Sequence, residues 1–134
     1  MIQHATREVL PAQLDACIDF YGEIGFLRVV EPATLKGTAV WLEHRGTQVH
    51  LMPKPDAVPQ SGHIAVVVAG YEDTVARLRA LGHEIDPRRE HWGAPRCFVR
   101  DPAGNIVELM AWPPGASAPP AWAAEAASEG PKTV

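Results

Sequence analysis

The sequence predicts an α+β fold made of two copies of a strand–helix–three-strand (βαβββ) unit. Three observations predict it. The order of strand-type and helix-type patterns runs twice through the 134 residues. Ionisable residues recur at matched spacing, His4 preceding His50 by 46 positions and His63 preceding Glu108 by 45. Helix-ending glycines, Gly25 and Gly82, fall at equivalent places, and a proline-broken segment separates the two halves.

Each element follows from local pattern. Ile2 to Val9 reads as a short strand. Pro11 suits the first position of a helix, and Leu14, Cys17, Ile18 and Tyr21 recur at helical spacing, with Asp15, Asp19 and Glu23 opposite. Gly25 stops that helix. Phe26 to Val30, Val40 to Glu43 and Thr47 to Met52 read as strands, the last two joined by a turn at His44-Arg45-Gly46. In the second half, Gly62 to Ala69 is a valine-rich strand. Tyr71, Val75 and Leu78 mark a helix ended by Gly82. Glu84 to Asp86, Arg96 to Arg100 and Asn105 to Trp112 are strands, with a tight turn at Asp101-Pro102-Ala103-Gly104. Pro87 to Pro95 is a polar, proline-bounded loop. The expected organisation is a first module at 1–53, a linker at 54–61, a second module at 62–112 and a flexible Pro/Ala-rich tail at 113–134. Within that tail, Ala121 to Ser128 has a weak helical pattern with Trp122 as an anchor.

Composition narrows the function. A formal net charge of −4 with no Lys/Arg run argues against nucleic-acid binding, which needs clustered positive charge. The longest apolar runs are strand-sized and too short to cross a membrane. The start, Met1-Ile2-Gln3-His4, shows no signal-peptide pattern. Two cysteines, Cys17 and Cys97, make no disulfide framework, so reduced thiols and a cytoplasmic location are expected.

The repeat puts His4, His50, His63 and Glu108 in the first or last strand of a half. Side chains on a strand alternate faces, so Glu108 shares its face with Ile106 and Met110, and His63 with Ala65 and Val67. A carboxylate among apolar neighbours needs a partner, because desolvating a charge is costly. A divalent metal shared with imidazoles is one such partner, and this ligand chemistry suits Zn, Ni, Fe or Mn. The loop before the seventh strand supplies Trp92 as an apolar or stacking wall, with Arg89 and Arg96 as anchors for an anionic group.

Several stretches resemble the vicinal-oxygen-chelate superfamily, the glyoxalase, bleomycin-resistance and extradiol-dioxygenase group. They are Gly62-His63-Ile64-Ala65-Val66, the turn and strand from Asp101 to Leu109, and Asp19-Phe20-Tyr21 followed by Gly25-Phe26. The resemblance spans about residues 1 to 112. It implies two βαβββ modules forming a curved mixed sheet around a central metal cup. It also implies one divalent metal ion held by His4, His63 and Glu108, with His50 as fourth ligand or catalytic base, a small-molecule substrate and a homodimer. The sequence departs from glyoxalase I, which it otherwise resembles at the three ligands, by carrying histidine at His50 where that enzyme has an acid. The basic cluster that holds phosphonate in fosfomycin transferases is not identifiable. Bleomycin-binding members usually lack the metal ligands. The expected function is therefore a metal-dependent enzyme acting on vicinal oxygens, by isomerase, lyase or ring-cleaving dioxygenase chemistry. The alternative is a non-catalytic drug-binding protein.

Overall fold

The computed structural model describes residues 1–124. Among the described residues, eight strands and two whole α-helices appear in the expected order: β1 (His4–Val9), α1 (Leu14–Glu23), β2 (Leu27–Val29), β3 (Val40–His44), β4 (Thr47–Pro53), then β5 (His63–Val67), α2 (Tyr71–Ala80), β6 (Ile85–Pro87), β7 (Arg96–Arg100) and β8 (Ile106–Met110). The strands form two four-stranded sheets, β1-β4-β3-β2 and β5-β8-β7-β6. Each is mixed: the outer strand opening a module runs parallel to the strand that closes it, and the other neighbours are antiparallel. This is the α+β, two-module architecture that the repeat predicts. By contacts the chain divides into a first unit, Met1–Ser61 with Asp101–Asn105, and a second, Gly62–Arg100 with the described residues from Ile106 onward.

In the first unit, the chain enters α1 through a 3-10 turn, Pro11–Gln13, where the Leu10 amide donates to Gln13 Oε1 at 2.9 Å. The helix buries Cys17, Phe20 and Tyr21. Alternation along the strands sends Arg7 and Val9 of β1, Leu42 of β3, and Val49 and Leu51 of β4 to the buried side. Each fully buried aliphatic side chain stabilises by about 1.5–3 kcal/mol. The opposite side carries His4, Thr6, Gln48, His50 and Trp41. At the helix exit, Gly25 has φ +105°, and a Cβ there would lie 2.8 Å from the His44 ring. That closeness arises because His44, half-buried at its turn, donates Nδ1–H to the Gly25 carbonyl at 3.0 Å.

A polar knot closes this unit. Asp101, only 3% exposed, accepts the Tyr21 hydroxyl at 2.7 Å on Oδ2. Its Oδ1 accepts the Ala103 and Asn105 amides, each at 2.9 Å. Asn105 in turn takes the Gln60 amide and donates to the Glu8 carbonyl. The motif that reads in sequence as a tight turn is thus also a hydrogen-bonding hub. Burial and the nearby Asp101 carboxylate push the Cys17 thiol up to about 12, and push the Tyr21 phenol upward as well.

In the second unit, α2 starts at Gly70, which adopts a left-handed conformation at φ 52°. Glu72 and Asp73 in its first turn and Arg77 and Arg79 in its last complement the helix dipole. Thr74, Val75 and Leu78 pack inward with Val66, Val68, Cys97, Val99, Val107 and Leu109. Both cysteines are free and buried. Residues 121–124 enter a helical turn with Ala123 buried, and the remainder of the helix expected at 121–128 lies outside the described residues. No helix among the described residues is long and apolar enough to cross a membrane.

Candidate metal-binding half-sites

Strand register explains why the spacings of 46 and 45 matter. In β1–β4, His4 lies opposite Gln48 and Thr6 opposite His50; in β5–β8, His63 lies opposite Ile106 and Ala65 opposite Glu108. Each candidate pair is therefore offset by two residues across a parallel ladder, on the same face. The equivalence inferred from the repeat holds residue for residue in the pairing.

The first unit brings His4 and His50 together as stacked rings, with centroids 4.2 Å apart and planes within 10°. Trp41, opposite His50 on β3, stacks on the other side at 4.3 Å and 4°. The result is a three-ring pile across three adjacent strands. Glutamines orient both imidazoles: His4 Nδ1–H donates to Gln3 Oε1 at 2.6 Å, and His50 Nε2–H donates to Gln48 Oε1 at 2.8 Å. An amide oxygen only accepts, so each bonded nitrogen carries the proton. The lone pair is left on Nε2 of His4 and on Nδ1 of His50. Burial, aided by the like charge of His4, moves the His50 pKa below its ordinary value, so the ring is neutral at neutral pH.

The second unit brings together His63, Glu108 and Arg96. His63 Nε2 faces Glu108 Oε2 at 3.2 Å. Glu108 Oε1 accepts from Arg96 Nη1 at 2.7 Å. The desolvation argument that pointed from a buried Glu108 to a metal is thus already met in part by a guanidinium. Arg96, expected as an anchor for an anionic group, is turned onto this carboxylate. Its Nε also donates to the Arg89 carbonyl at 2.7 Å, and its guanidinium sits 5.7 Å from the Trp92 ring centre. Trp92 is half-buried, with Nε1–H on the Trp112 carbonyl at 2.9 Å, whereas Arg89 is exposed. Phe98, opposite Glu108 on β7, lies 4.9 Å from the His63 ring and has the Arg88 guanidinium over its own ring at 4.7 Å.

Two ligand atoms each about 2.1 Å from one metal, at angles of roughly 90–109°, stand about 3.0–3.4 Å apart. The 3.2 Å between His63 Nε2 and Glu108 Oε2 falls in that range. The spacing suits two ligands of one divalent cation, and the nitrogen and oxygen donors are of the right chemistry. His4, with Nε2 unprotonated, is likewise in the tautomer that binds metal. Among the described residues no three His, Cys, Asp or Glu side chains gather as a metal-holding group.

Sequence reasoning did not single out Trp41, Gln3, Gln48 or Phe98. Trp41, Gln48 and Phe98 alternate with core residues along their strands, and that alternation was the available signal. A cavity of about 360 Å³ in the second unit lies elsewhere, on the helix side of the sheet, lined by Val68, Tyr71, Ala111, Trp112 and Ala123 among others.

Two βαβββ modules, each presenting ionisable residues from its first and last strands, are the architecture of the vicinal-oxygen-chelate superfamily. The chain belongs to the glyoxalase-like domain family, whose model it matches over residues 9–110. No curated relative matches the sequence. Among solved structures it is similar to a Bacillus anthracis protein described as belonging to the glyoxalase family, at TM-score 0.73 and 24% identity over 82% of this chain and 93% of that one. It is similar to lactoylglutathione lyase from Agrobacterium tumefaciens, at TM-score 0.64 and 22% identity over 82% and 92%. A third similarity is to a mutant of the fosfomycin resistance protein FosX from Listeria monocytogenes, complexed with Mn(II) and 1S,2S-dihydroxypropylphosphonic acid. Its TM-score is 0.66, with 20% identity over 85% and 94%. Likeness at these identities establishes the fold.

Proposed function

We propose that this protein is a divalent-metal-dependent enzyme of glyoxalase-like type acting on a small molecule with two adjacent oxygens. The observation that carries this reading is the facing pair His63 Nε2 and Glu108 Oε2, spaced as two ligands of one ion. His4, offering Nε2, is the candidate third ligand. The ion, when bound, acts as a Lewis acid on the substrate oxygens. Zn, Ni, Fe and Mn all suit the donor set.

His50 is better read as the proton-moving group than as a fourth ligand. Its Nε2 is committed to Gln48, and its lowered pKa keeps Nδ1 available to accept a proton near neutral pH. Each module also offers rings beside its candidate ligands: Trp41 in the first, Phe98 and Trp92 in the second. Arg96 and Arg88 are held by Glu108 and Asp86. That ring surface beside the candidate ligands favours a flat, ring-bearing diol or hydroxyketone.

Elemental analysis of protein purified without chelator, followed by a turnover panel of catechols, 2-oxoaldehyde thiohemiacetals and epoxyphosphonates, tests the reading. Metal-dependent turnover of a ring compound is the expected result. Tight stoichiometric binding that survives exhaustive chelation, with no turnover, would instead make this a drug-sequestering protein.

A further inference from the structure

The two oxygens of Glu108 are used differently. Oε1 is taken by the Arg96 guanidinium at 2.7 Å, and Oε2 faces His63 at 3.2 Å. The Arg96 and Glu108 side chains are 11% and 9% exposed, so the ion pair is poorly screened by water. Arg96 is also fixed from behind. Its Nε is held by the Arg89 carbonyl, its guanidinium carbon lies over the Trp92 ring 5.7 Å from the centroid, and Trp92 is held in turn by the Trp112 carbonyl. A guanidinium restrained this way presents its remaining donors in one direction. Swinging it away to meet an anionic ligand would break a short charge-assisted bond and strip a buried carboxylate of its cation.

We propose that Arg96 is a positioning residue for the metal carboxylate: it reserves Glu108 Oε1, so that Oε2 alone is presented beside His63 Nε2. The inference rests on the metal-binding reading above. A carboxylate attached through one oxygen takes one coordination position instead of two. That economy matters for an ion that must also accept two adjacent substrate oxygens. Arg96 is thereby removed from the set of residues that hold substrate directly.

The test uses the full-length protein loaded with cobalt(II), followed by visible absorption and by calorimetric titration of the metal. In Arg96→Met, Glu108 is released to bind through both oxygens. The expected result is a fall of about threefold or more in the molar absorptivity of the cobalt bands, the mark of a higher coordination number. Loss of the outer-shell partner weakens cobalt binding about 10- to 100-fold. Arg96→Lys, which still donates to Oε1, restores the wild-type spectrum; a role confined to holding the loop together would not give that rescue. If circular dichroism shows Arg96→Met unfolded, Arg96→Leu, which likewise carries no donor, takes its place with the same expected fall. Superimposable spectra for the wild type and the neutral variant overturn the positioning role alone. A wild type that yields neither cobalt bands nor binding heat overturns the metal reading, and the positioning role with it.

Discussion

Removing one oxygen atom from the polar knot tests how the first unit is held. Tyr21→Phe keeps the ring, its edge-on packing against Phe20 and Phe26, and its burial, and deletes only the hydroxyl. The hydroxyl is 2.7 Å from Asp101 Oδ2, in a site where Tyr21 is fully buried and Asp101 is 3% exposed. Asp101 Oδ1 keeps both backbone amides, so the loss is confined to one hydrogen bond to a charged acceptor. Such a bond contributes about 1.5–3 kcal/mol. At this chain length each kcal/mol moves the midpoint by about 3–5 °C, so Tyr21→Phe is expected to melt roughly 5–15 °C below wild type. Differential scanning calorimetry at neutral pH measures it. A midpoint within about 2 °C of wild type would refute the reasoning, because Asp101 would then be as well satisfied without the phenol as with it.

Other perturbations follow from the same geometry. Gly25→Ala places a side chain at φ +105° and a Cβ 2.8 Å from His44, so a loss of about 1–3 kcal/mol is expected in urea unfolding. In the metal-free protein, the unfolded chain protonates His50 near its ordinary value of 6.5 while the folded chain resists until lower pH. Stability therefore falls as pH drops below about 6.5, and denaturation midpoints across that range should show a shallower slope in His50→Gln. Cys17, fully buried with its thiol pushed up to about 12, should react with an aromatic disulfide reagent only on unfolding, as a rate that rises with urea. Glu108→Gln and His63→Ala should each abolish stoichiometric metal uptake, measured by elemental analysis after dialysis.

The fold was legible because period and punctuation agreed. Glycines at 25 and 82 and the turns before β4 and β8 marked boundaries, and alternating residues marked faces. Strand ends shifted by one or two residues where the pattern is weak, as at β2 and β6. The candidate ligands were legible as repeat equivalents, since a spacing repeated in two halves implies a repeated register. What the spacing could not carry was the company those residues keep. Arg96 reaches Glu108 only because β7 and β8 pair with Phe98 opposite Glu108, and nothing in the linear order tells a guanidinium aimed at substrate from one aimed at a carboxylate. Trp41 was not singled out, yet its place between buried Val40 and Leu42 puts it on the opposite face. Asp101 read as a turn former, which it is, while its second oxygen serves a tyrosine 80 positions away.

Asp101–Asn105 belongs by contact with the first sixty-one residues and not with the strands it connects. A ribosome releasing this chain therefore emits β1 to β4 and α1 well before the five residues that complete their body. Until residue 105 emerges, Tyr21 has no Asp101 and the Glu8 carbonyl has no Asn105 amide to accept. The nascent first half must wait with its knot untied, and a gene cut cleanly at the linker would yield two fragments, one of which lacks a piece of itself.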